Sequence, residues 1–386
     1  MRFVTPALKH IVFPALSRSG YLRYAAGAGP AVVTYHGVFP AGYKIRNSAL
    51  DGNLVHADAL RRQLKLLKQH YTVISPEEFL HWSERHWSEQ ERSEGEISEA
   101  DRLPVKQSVP PRSILLTCDD ALRNTLTDMV PILRDVGVSC LFFATGASGE
   151  SPSMLWYEEL YLMLRDAAEP ISLNLPDAGV SINIGASCPK QRHAYWWNLV
   201  ETLSQFSGES RRDFLDRIRQ QLRLSENWRS KFIEDSTLAA RFLILDRSGL
   251  RQLAAAGMTI GAHTLSHPIL ARTPDALAWR EISESKIVLE KTLGQTVWAL
   301  GYPFGTAITV TPRDLQFAER AGFHCAFMNT GGGLGAKNYR FAFPRVHVTA
   351  NMSLSEFEAN ISGFYRSLRL RFSKTNEEQE QIGSIS

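Results

Sequence analysis

Two adjacent aspartates and two histidines four residues apart are the side chains of this sequence best suited to chemistry. Asp119 and Asp120 close the apolar run 113–118, and His263 and His267 follow a second apolar run much later in the chain. A carboxylate and two imidazoles at the ends of separate strands can hold one divalent metal ion, which leaves the other carboxylate to move a proton. This set is sufficient for metal-assisted hydrolysis of an amide or an ester.

Each half of this pattern also has an ordinary structural interpretation. An Asp-Asp pair after a strand usually forms a turn or a helix N-cap. Two histidines four residues apart are more often surface or core residues than ligands. Because both halves occur together, each at the carboxyl end of a predicted strand, the pattern favours a metal site.

Short apolar runs alternate with amphipathic segments along most of the chain. Such repeated strand–helix units predict an α/β protein with a parallel sheet and outer helices, closed or nearly closed as a barrel. Active sites of barrels lie at the carboxyl ends of the strands. The residues predicted at such ends are His36, Asp119, Asp120, His263 and Pro303.

The alternation also predicts how the chain is organised. We expect an N-terminal amphipathic segment at 1–30, a barrel at 31–350, and a C-terminal helix with a disordered tail at 351–386. Within the barrel, residues 83–111 are charged, flanked by proline and rich in Ser and Glu, which predicts a solvated loop. Residues 150–245 break the alternation and predict a helical insertion beside the site.

Aromatic side chains in the predicted insertion have two interpretations. Trp156 and Tyr157 offer faces on which a sugar ring could stack. Aromatic residues at helical spacing are more often part of a core. Both interpretations stay open at the level of sequence.

The composition excludes several classes of protein. With 386 residues, 44% hydrophobic and 22% charged, the chain resembles an ordinary soluble globular protein. Its 43 Lys and Arg against 40 Asp and Glu give a net charge of only +3, so no nucleic-acid partner is expected. The four cysteines form no CxxC motif, which indicates neither a disulfide framework nor a cysteine zinc site.

The N-terminus is basic and apolar, but Pro6, Lys9, His10 and Pro14 interrupt it, so a secretory signal is not expected. No run approaches the roughly 20 apolar residues needed to span a bilayer. We therefore predict a cytoplasmic protein. Residues 1–25 either pack against the domain or make peripheral contact with the inner membrane. In the membrane interpretation the apolar side chains turned inward are Phe3, Leu8, Ile11, Val12, Phe13 and Leu16.

Three motifs together resemble a known family. They are residues 117–121 (Thr-Cys-Asp-Asp-Ala), 261–268 (Gly-Ala-His-Thr-Leu-Ser-His-Pro) and 302–305 (Tyr-Pro-Phe-Gly). In order and spacing they resemble the motifs of the NodB-homology polysaccharide deacetylases, carbohydrate esterase family 4, over roughly residues 30–145 and 245–350. The resemblance implies a distorted barrel of about seven strands.

The same resemblance implies roles for individual residues. Asp120, His263 and His267 would bind a divalent metal, most commonly zinc, and Asp119 would be the general base that takes a proton from the attacking water. The backbone N–H of Phe304 would face the developing oxyanion. Its motif neighbour Tyr302 is grouped with it at the substrate.

The general acid that this family requires has two candidates. His347 lies in a strand-like run near the C-terminus, as in ordinary members. His36 ends a strand near the N-terminus, as in circularly permuted members. In a closed barrel the first and last strands are neighbours, so either histidine could reach the site. We favour His36, because Gly37 follows it and His347 lacks the expected flanking motif; either could also be a packed core histidine.

Three positions depart from the family pattern. Cys118 replaces an aromatic residue and Ala121 replaces a glycine; if that glycine needs a positive φ, Ala121 costs on the order of 1 kcal/mol. Gly301 stands where many members have an arginine. Arg345 either orients Asp119 in its place or forms a surface salt bridge.

The resemblance implies a metal-dependent N-deacetylase that hydrolyses the acetamide of an N-acetylhexosamine unit in a glycan and releases acetate. One alternative is a deacylase of the same fold acting on O-acetyl or formamido sugars of a lipid-linked glycan. Another is an inactive carbohydrate-binding homologue. The last predicts loss of Asp119 or of a metal ligand, and this chain keeps them all.

Overall fold

The computed structural model describes residues 4–24, 30–45, 48–94, 110, 112–147, 149, 152–185, 189–331 and 339–368. Short, mostly parallel strands form the centre of the molecule. The strands are β1 (Ala31–Tyr35), β2 (Thr72–Ile74), β3 (Ser113–Cys118), β4 (Leu141–Ala144), β5 (Ile171–Leu175), β6 (Val180–Ile184), β7 (Thr259–Ala262), β8 (Ala299–Gly301), β9 (Cys325–Met328), β10 (Phe343–Pro344) and β11 (Val346–His347).

The central sheet is a nearly closed barrel. Its strands follow the order β10-β9-β8-β7-β4-β3-β1-β11, and every neighbouring pair is parallel. Only Arg345 separates β10 from β11, so the two ends of this order belong to one stretch of chain. If that stretch is counted as one strand, the barrel has seven strands. The predicted α/β barrel is confirmed. Strand β2 lies outside the ring and pairs with the first half of β3.

Alternate residues of the strands build two different cores. All residues of β1, β3 and β4 are buried, as expected for parallel strands covered on both faces. Val33, Leu116 and Phe142 belong to the cluster beneath the outer helices. Their neighbours Val32, Leu115 and Phe143 belong to a cluster that fills the barrel interior. The residues that follow along these strands lie at the carboxyl end of the barrel, where the polar side chains are found.

The helices surround the barrel and form most of the insertion. They are α1 (Val4–Ala7), α2 (Phe13–Arg18), α3 (Tyr21–Tyr24), α4 (Ser48–Asp51), α5 (Ala57–His70), α6 (Pro76–Glu94), α7 (Val130–Val136), α8 (Trp156–Asp166), α9 (Pro189–Leu203), α10 (Gly208–Gln221), α11 (Ser230–Glu234), α12 (Ser236–Phe242), α13 (Arg247–Ala255), α14 (Asp275–Leu293), α15 (Pro312–Arg320) and α16 (Leu354–Ile361). Two π-helical turns, at Leu8–Val12 and Thr125–Met129, adjoin this set.

The prediction of a solvated loop at 83–111 is wrong for its first part, because α6 continues to Glu94. Its N-terminus is capped by Ser75, whose hydroxyl accepts from the Glu78 amide at 3.1 Å. Phe79 and Trp87 then bury an apolar face against the interior cluster. Residues 95–109 lie outside the described part of the chain.

The insertion contains more than helices. Helices α8 to α12 enclose a separate hydrophobic cluster with the antiparallel hairpin β5–β6, which was not predicted. Its helices α9 and α10 are separate, and Ser207 caps the second by accepting a hydrogen bond from the Ser210 amide. The insertion therefore has its own core beside the barrel.

The N-terminal helices pack against the C-terminal helix. Phe13 and Leu22 are fully buried in a cluster with Ala359 of α16. Arg23 pairs with Glu358 at 2.6 Å and Lys9 with Glu356 at 2.7 Å. Phe13 therefore faces the protein. Among the residues described, none of the helices has the length and apolar character to cross a membrane.

Candidate metal centre and active site

Asp120, His263 and His267 converge at the carboxyl ends of β3 and β7. All three are buried, and their ligand atoms lie within 4.8 Å of one another. Oδ1 of Asp120 is 3.3 Å from Nε2 of His267 and 3.6 Å from Nε2 of His263, yet it has no hydrogen-bond partner. One carboxylate oxygen and two imidazole nitrogens suit a divalent metal that keeps an open coordination position. The donor set therefore fits the metal that the resemblance implies.

Hydrogen bonds hold the ring of His263 and the backbone of His267 in place. Nδ1 of His263 lies 2.6 Å from the carbonyl oxygen of Gly301, an interaction that leaves Nε2 directed at the cluster. Burial lowers the pKa of His263 to about 4, so the ring is neutral at neutral pH, as a metal ligand must be. The amide of His267 donates to Oγ1 of Thr264, and its carbonyl accepts from Nε1 of Trp156 at 2.9 Å.

Several non-glycine residues of the site have left-handed backbone conformations. The φ angles are 71° at Asp120, 48° at Ala121, 57° at His267 and 60° at Phe304. The positive φ anticipated at Ala121 is present, and such a conformation costs on the order of 1 kcal/mol for a residue with a Cβ. Strained backbone of this kind concentrates at functional sites.

Arg345 clamps Asp119. Its Nη1 and Nη2 donate to Oδ1 and Oδ2 of the carboxylate at 2.6 and 2.7 Å. Both side chains are buried, so the alternative of a surface salt bridge is wrong. Burial alone would raise the pKa of Asp119, but Arg345, with His263 and His36, holds that pKa well below its ordinary range. Asp119 is therefore ionised at neutral pH.

Packing around Gly301 explains why Arg345, between the last two strands, supplies the arginine that binds Asp119. A Cβ added to Gly301 would lie 2.8 Å from the ring of Phe143, so no side chain fits there. The Arg345 guanidinium instead lies 5.1 Å from the centre of that ring. The stretch that closes the barrel thus supplies the positive charge that Gly301 lacks.

The two candidate acids lie side by side. β1 and β11 are neighbours, with Thr34 opposite His347, and the rings of His36 and His347 are 4.8 Å apart. Nε2 of His36 is 3.9 Å from Oδ2 of Asp119. Burial, followed by the proximity of His36, lowers the pKa of His347 to about 3.

A cavity of about 360 Å³ is lined by Asp120, by the histidines His263 and His267, and by both candidate acids. Tyr157, Trp197, Phe304 and Asn329 also line it. The Phe304 ring centre lies 5.0 Å from that of His267 and 5.4 Å from that of Tyr157. An aromatic wall therefore adjoins the cluster of potential metal ligands.

One sequence interpretation needs correction, and the structure decides between the two interpretations left open for Trp156. Tyr302 is fully buried and its hydroxyl donates to the carbonyl of Phe341 at 3.0 Å, so its side chain serves the core and not the substrate. Trp156 belongs to the core of the insertion and carries the hydrogen bond to His267, so it is not a free stacking face. Tyr157 is the one of the pair that lines the cavity.

Some cavity residues were not anticipated. Glu158 lies on α8 and pairs with Arg241, which is distant in sequence and also binds Asp51. Asn329 follows β9, and its Oδ1 is buried without a hydrogen-bond partner. The position of Asn329 at a strand end was the only available signal, and Glu158 had none.

The chain resembles known deacetylases. Residues 225–326 match the family model described as polysaccharide deacetylase, and the predicted resemblance to that family is thereby confirmed. The matched segment contains His263, His267 and Phe304. No curated protein matches the sequence significantly.

Three solved structures that resemble the chain each have a TM-score below 0.5. The deacetylase PplD from Streptococcus pyogenes, in complex with acetate, is 17% identical with a TM-score of 0.49 and covers 86% of this chain and 98% of its own. IcaB from Ammonifex degensii is 14% identical, with a TM-score of 0.48 and coverage of 87% and 98%. A de-N-acetylase from Aggregatibacter actinomycetemcomitans is 12% identical, with a TM-score of 0.49 and coverage of 85% and 98%.

Proposed function

We propose that this protein is a metal-dependent N-deacetylase that hydrolyses the acetamide of an N-acetylhexosamine unit in a glycan and releases acetate. The observation that carries the proposal is the buried set Asp120, His263 and His267 beside the ionised Asp119, at the edge of a cavity with an aromatic wall. Metal ligands next to a spare carboxylate are the requirement for metal-assisted hydrolysis.

Asp120, His263 and His267 would hold the metal, and zinc suits their mixed nitrogen and oxygen donors. A bound divalent cation would act as a Lewis acid on the acetyl carbonyl and would make water more acidic. Asp119 is the base in this scheme, because it is ionised and next to Asp120 in the chain. Arg345 holds the Asp119 carboxylate by both oxygens, and each oxygen keeps a lone pair for the proton.

His36 is the acid in this proposal. Cleavage of an amide needs a proton donor, because an amide anion is too basic to leave unaided. A pKa of about 3 leaves His347 neutral at neutral pH, so it lacks a proton to give. His36 lines the cavity, and its Nε2 lies 3.9 Å from Oδ2 of Asp119. With His36 as the acid, the chain would resemble the circularly permuted members of the family, in which the acid lies near the N-terminus.

The remaining cavity residues would bind the sugar. Tyr157 and Trp197 offer aromatic surface at the wall, on which a pyranose ring can stack. The N–H of Phe304 is assigned to the oxyanion, because the residue lines the cavity and its ring packs on that of His267.

Acetate release from N-acetylated chito-oligosaccharides by the zinc-loaded protein tests the proposal. Asp119→Asn should retain the metal and lose turnover by ~10²–10⁴-fold, because general-base catalysis is removed. Asp128→Asn, at a position remote from the cavity lining, is the control and should behave as wild type. Wild-type turnover in Asp119→Asn would refute its assigned role. Formate release, or activity confined to O-acetyl groups, would favour the other deacylase of the same fold.

A further inference from the structure

A second cavity, of about 300 Å³, adjoins the metal centre and has no role in the chemistry proposed above. Trp156 lines this second cavity, whereas its neighbour in sequence, Tyr157, lines the catalytic cavity. His267 lines both. Small-molecule sites have volumes of about 300–1,000 Å³, so the second cavity can hold a ligand the size of a monosaccharide.

Two hydroxyl groups in the lining of the second cavity lack partners. Thr145 directly follows β4 and is 1% exposed, and its Oγ1 is buried without a hydrogen-bond partner among the residues that the structure describes. The same is true of Oγ of Ser153. A buried hydroxyl without a partner costs free energy, which a ligand recovers by bonding to it. Both hydroxyls therefore indicate a polar ligand.

The first turn of α10 also lines the second cavity, through Gly208, Arg211 and Arg212. The first N–H groups of a helix have no partner within the helix, and with the helix dipole they favour an anion. Ser207 accepts a hydrogen bond from the Ser210 amide and so satisfies one of these donors. The start of α10 therefore adds donors suited to an oxyanion.

Arg212 is the charge that the lining leaves unpaired. In and beside the lining, three other arginines form ion pairs with three carboxylates. The pairs are Arg211–Glu281, Arg229–Glu159, Arg229–Asp216 and Arg219–Asp216. The side chain of Arg212 is exposed and makes no ion pair or hydrogen bond within the described part of the chain. The cavity therefore has an excess of positive charge at Arg212.

We propose that the second cavity is a binding site for an oxyanion, a carboxylate or a phosphate, carried by a ligand no larger than a monosaccharide. Arg212 and the start of α10 bind the oxyanion, and the hydroxyls of Thr145 and Ser153 bond to its oxygen atoms or to hydroxyls of the ligand. Leu215 and Ile233 supply apolar surface for the rest of the ligand. This site does not depend on the proposed deacetylation.

The chain offers two informative variants and a matched control. Arg212→Gln removes the unpaired charge from an exposed position. Thr145→Val removes a hydroxyl that stabilises nothing in the described residues, so the fold should keep its stability. Arg223→Gln is the control, because Arg223 is also exposed, also has a side chain without an ion pair or hydrogen bond among the described residues, and lies outside the lining.

The experiment measures calorimetric binding of glucuronate, inorganic phosphate and neutral glucose to the zinc-loaded full chain. Glucuronate should bind at least about tenfold more tightly than glucose, because only the anion meets Arg212. Its Kd should rise at least about tenfold in Arg212→Gln and at least about threefold in Thr145→Val, which lose a charged and a neutral hydrogen bond respectively. The Kd should stay at the wild-type value in Arg223→Gln.

The phosphate titration distinguishes the two sources of an oxyanion. A phosphate Kd equal to that of glucuronate supports a site for a free anion, whereas tighter binding of glucuronate supports a site for an acidic sugar.

Three outcomes overturn the proposal. The first is that neither anion binds more tightly than glucose. The second is an unchanged Kd in both Arg212→Gln and Thr145→Val, which would place the anion at the metal centre instead. The third is an equal loss in Arg223→Gln. If Thr145→Val does not fold, Arg212→Gln decides alone. Failure to release acetate from any glycan would refute the proposed function and leave this test unaffected.

Discussion

Replacing Arg345 by methionine removes one half of a fully buried ion pair. The side chains of Arg345 and Asp119 are 0% and 1% exposed, and two hydrogen bonds of 2.6 and 2.7 Å join them. Methionine has no charge, so the carboxylate would stay buried and unpaired. Removal of one partner from such a pair costs about 3–5 kcal/mol. We expect the free energy of unfolding of Arg345→Met to fall by that amount at pH 7.

The pH dependence of this loss has a defined sign. In the wild type the pKa of Asp119 is lowered on folding, so the pair stabilises the fold above the unfolded pKa of about 3.9 and loses its effect as the pH falls through the folded pKa. In the variant burial prevails and raises the pKa of Asp119. The free-energy cost of the buried, unpaired Asp119 carboxylate in the variant is absent below about pH 3.9 and grows as the pH rises. The difference between the two proteins is therefore largest at neutral pH and narrows in acid.

Guanidinium denaturation followed by tryptophan fluorescence at pH 7 and pH 4.5 measures this difference. Arg345→Lys is the matched control, because it keeps the charge but not the two-pronged geometry and should lose less stability. The double variant Arg345→Met/Asp119→Asn should recover part of the loss, since no buried charge remains. A loss below about 1 kcal/mol at pH 7, or a difference that does not narrow at pH 4.5, would refute the reasoning.

Three further outcomes are expected. His267→Ala should lose the metal that the wild type binds at about one equivalent, measured by elemental analysis; full metal content would remove His267 from the ligand set. His36→Ala should keep the metal yet lose at least ~10²-fold on an acetamide and much less on an activated aryl acetate, whose leaving group needs little protonation. The same selective loss in His347→Ala, and not in His36→Ala, would make His347 the acid. Trp156→Ala should lower the free energy of unfolding by about 3–5 kcal/mol, because the ring is core; a raised KM with unchanged stability would instead place it at the cavity wall.

The barrel could be predicted because strand and helix periods alternate visibly, and the carboxyl ends of parallel strands meet at one end of a barrel. That rule alone brings Asp120, His263 and His36 together, although they lie far apart in sequence. The order of the strands then explains why His36 and His347 are neighbours. The roles of these residues remain proposals.

Other features depend on contacts that a single sequence does not reveal. The apolar face of α6 is sparse, with Phe79 and Trp87 among many charges, so its last turns resembled a loop. The hairpin β5–β6 has only short strands, and its pairing is fixed by packing within the insertion. Glu158 binds Arg241, which is 83 residues away in sequence, and Arg241 binds Asp51, which is 190 residues away. No local pattern encodes such a group.

The hydrophobic clusters of the barrel and the cluster of the insertion support different functional residues. The barrel clusters support the groups assigned to hydrolysis, whereas the cluster of the insertion supports Tyr157 and Trp197, which face the glycan in our proposal. Polar contacts across the boundary include the Trp156 bond to His267 and the Arg211 bond to Ser266. Substitutions within one cluster and away from these contacts should leave the other largely undisturbed, because distant sites add nearly independently. Such a chain can acquire a different glycan preference through its insertion while its hydrolytic centre stays the same.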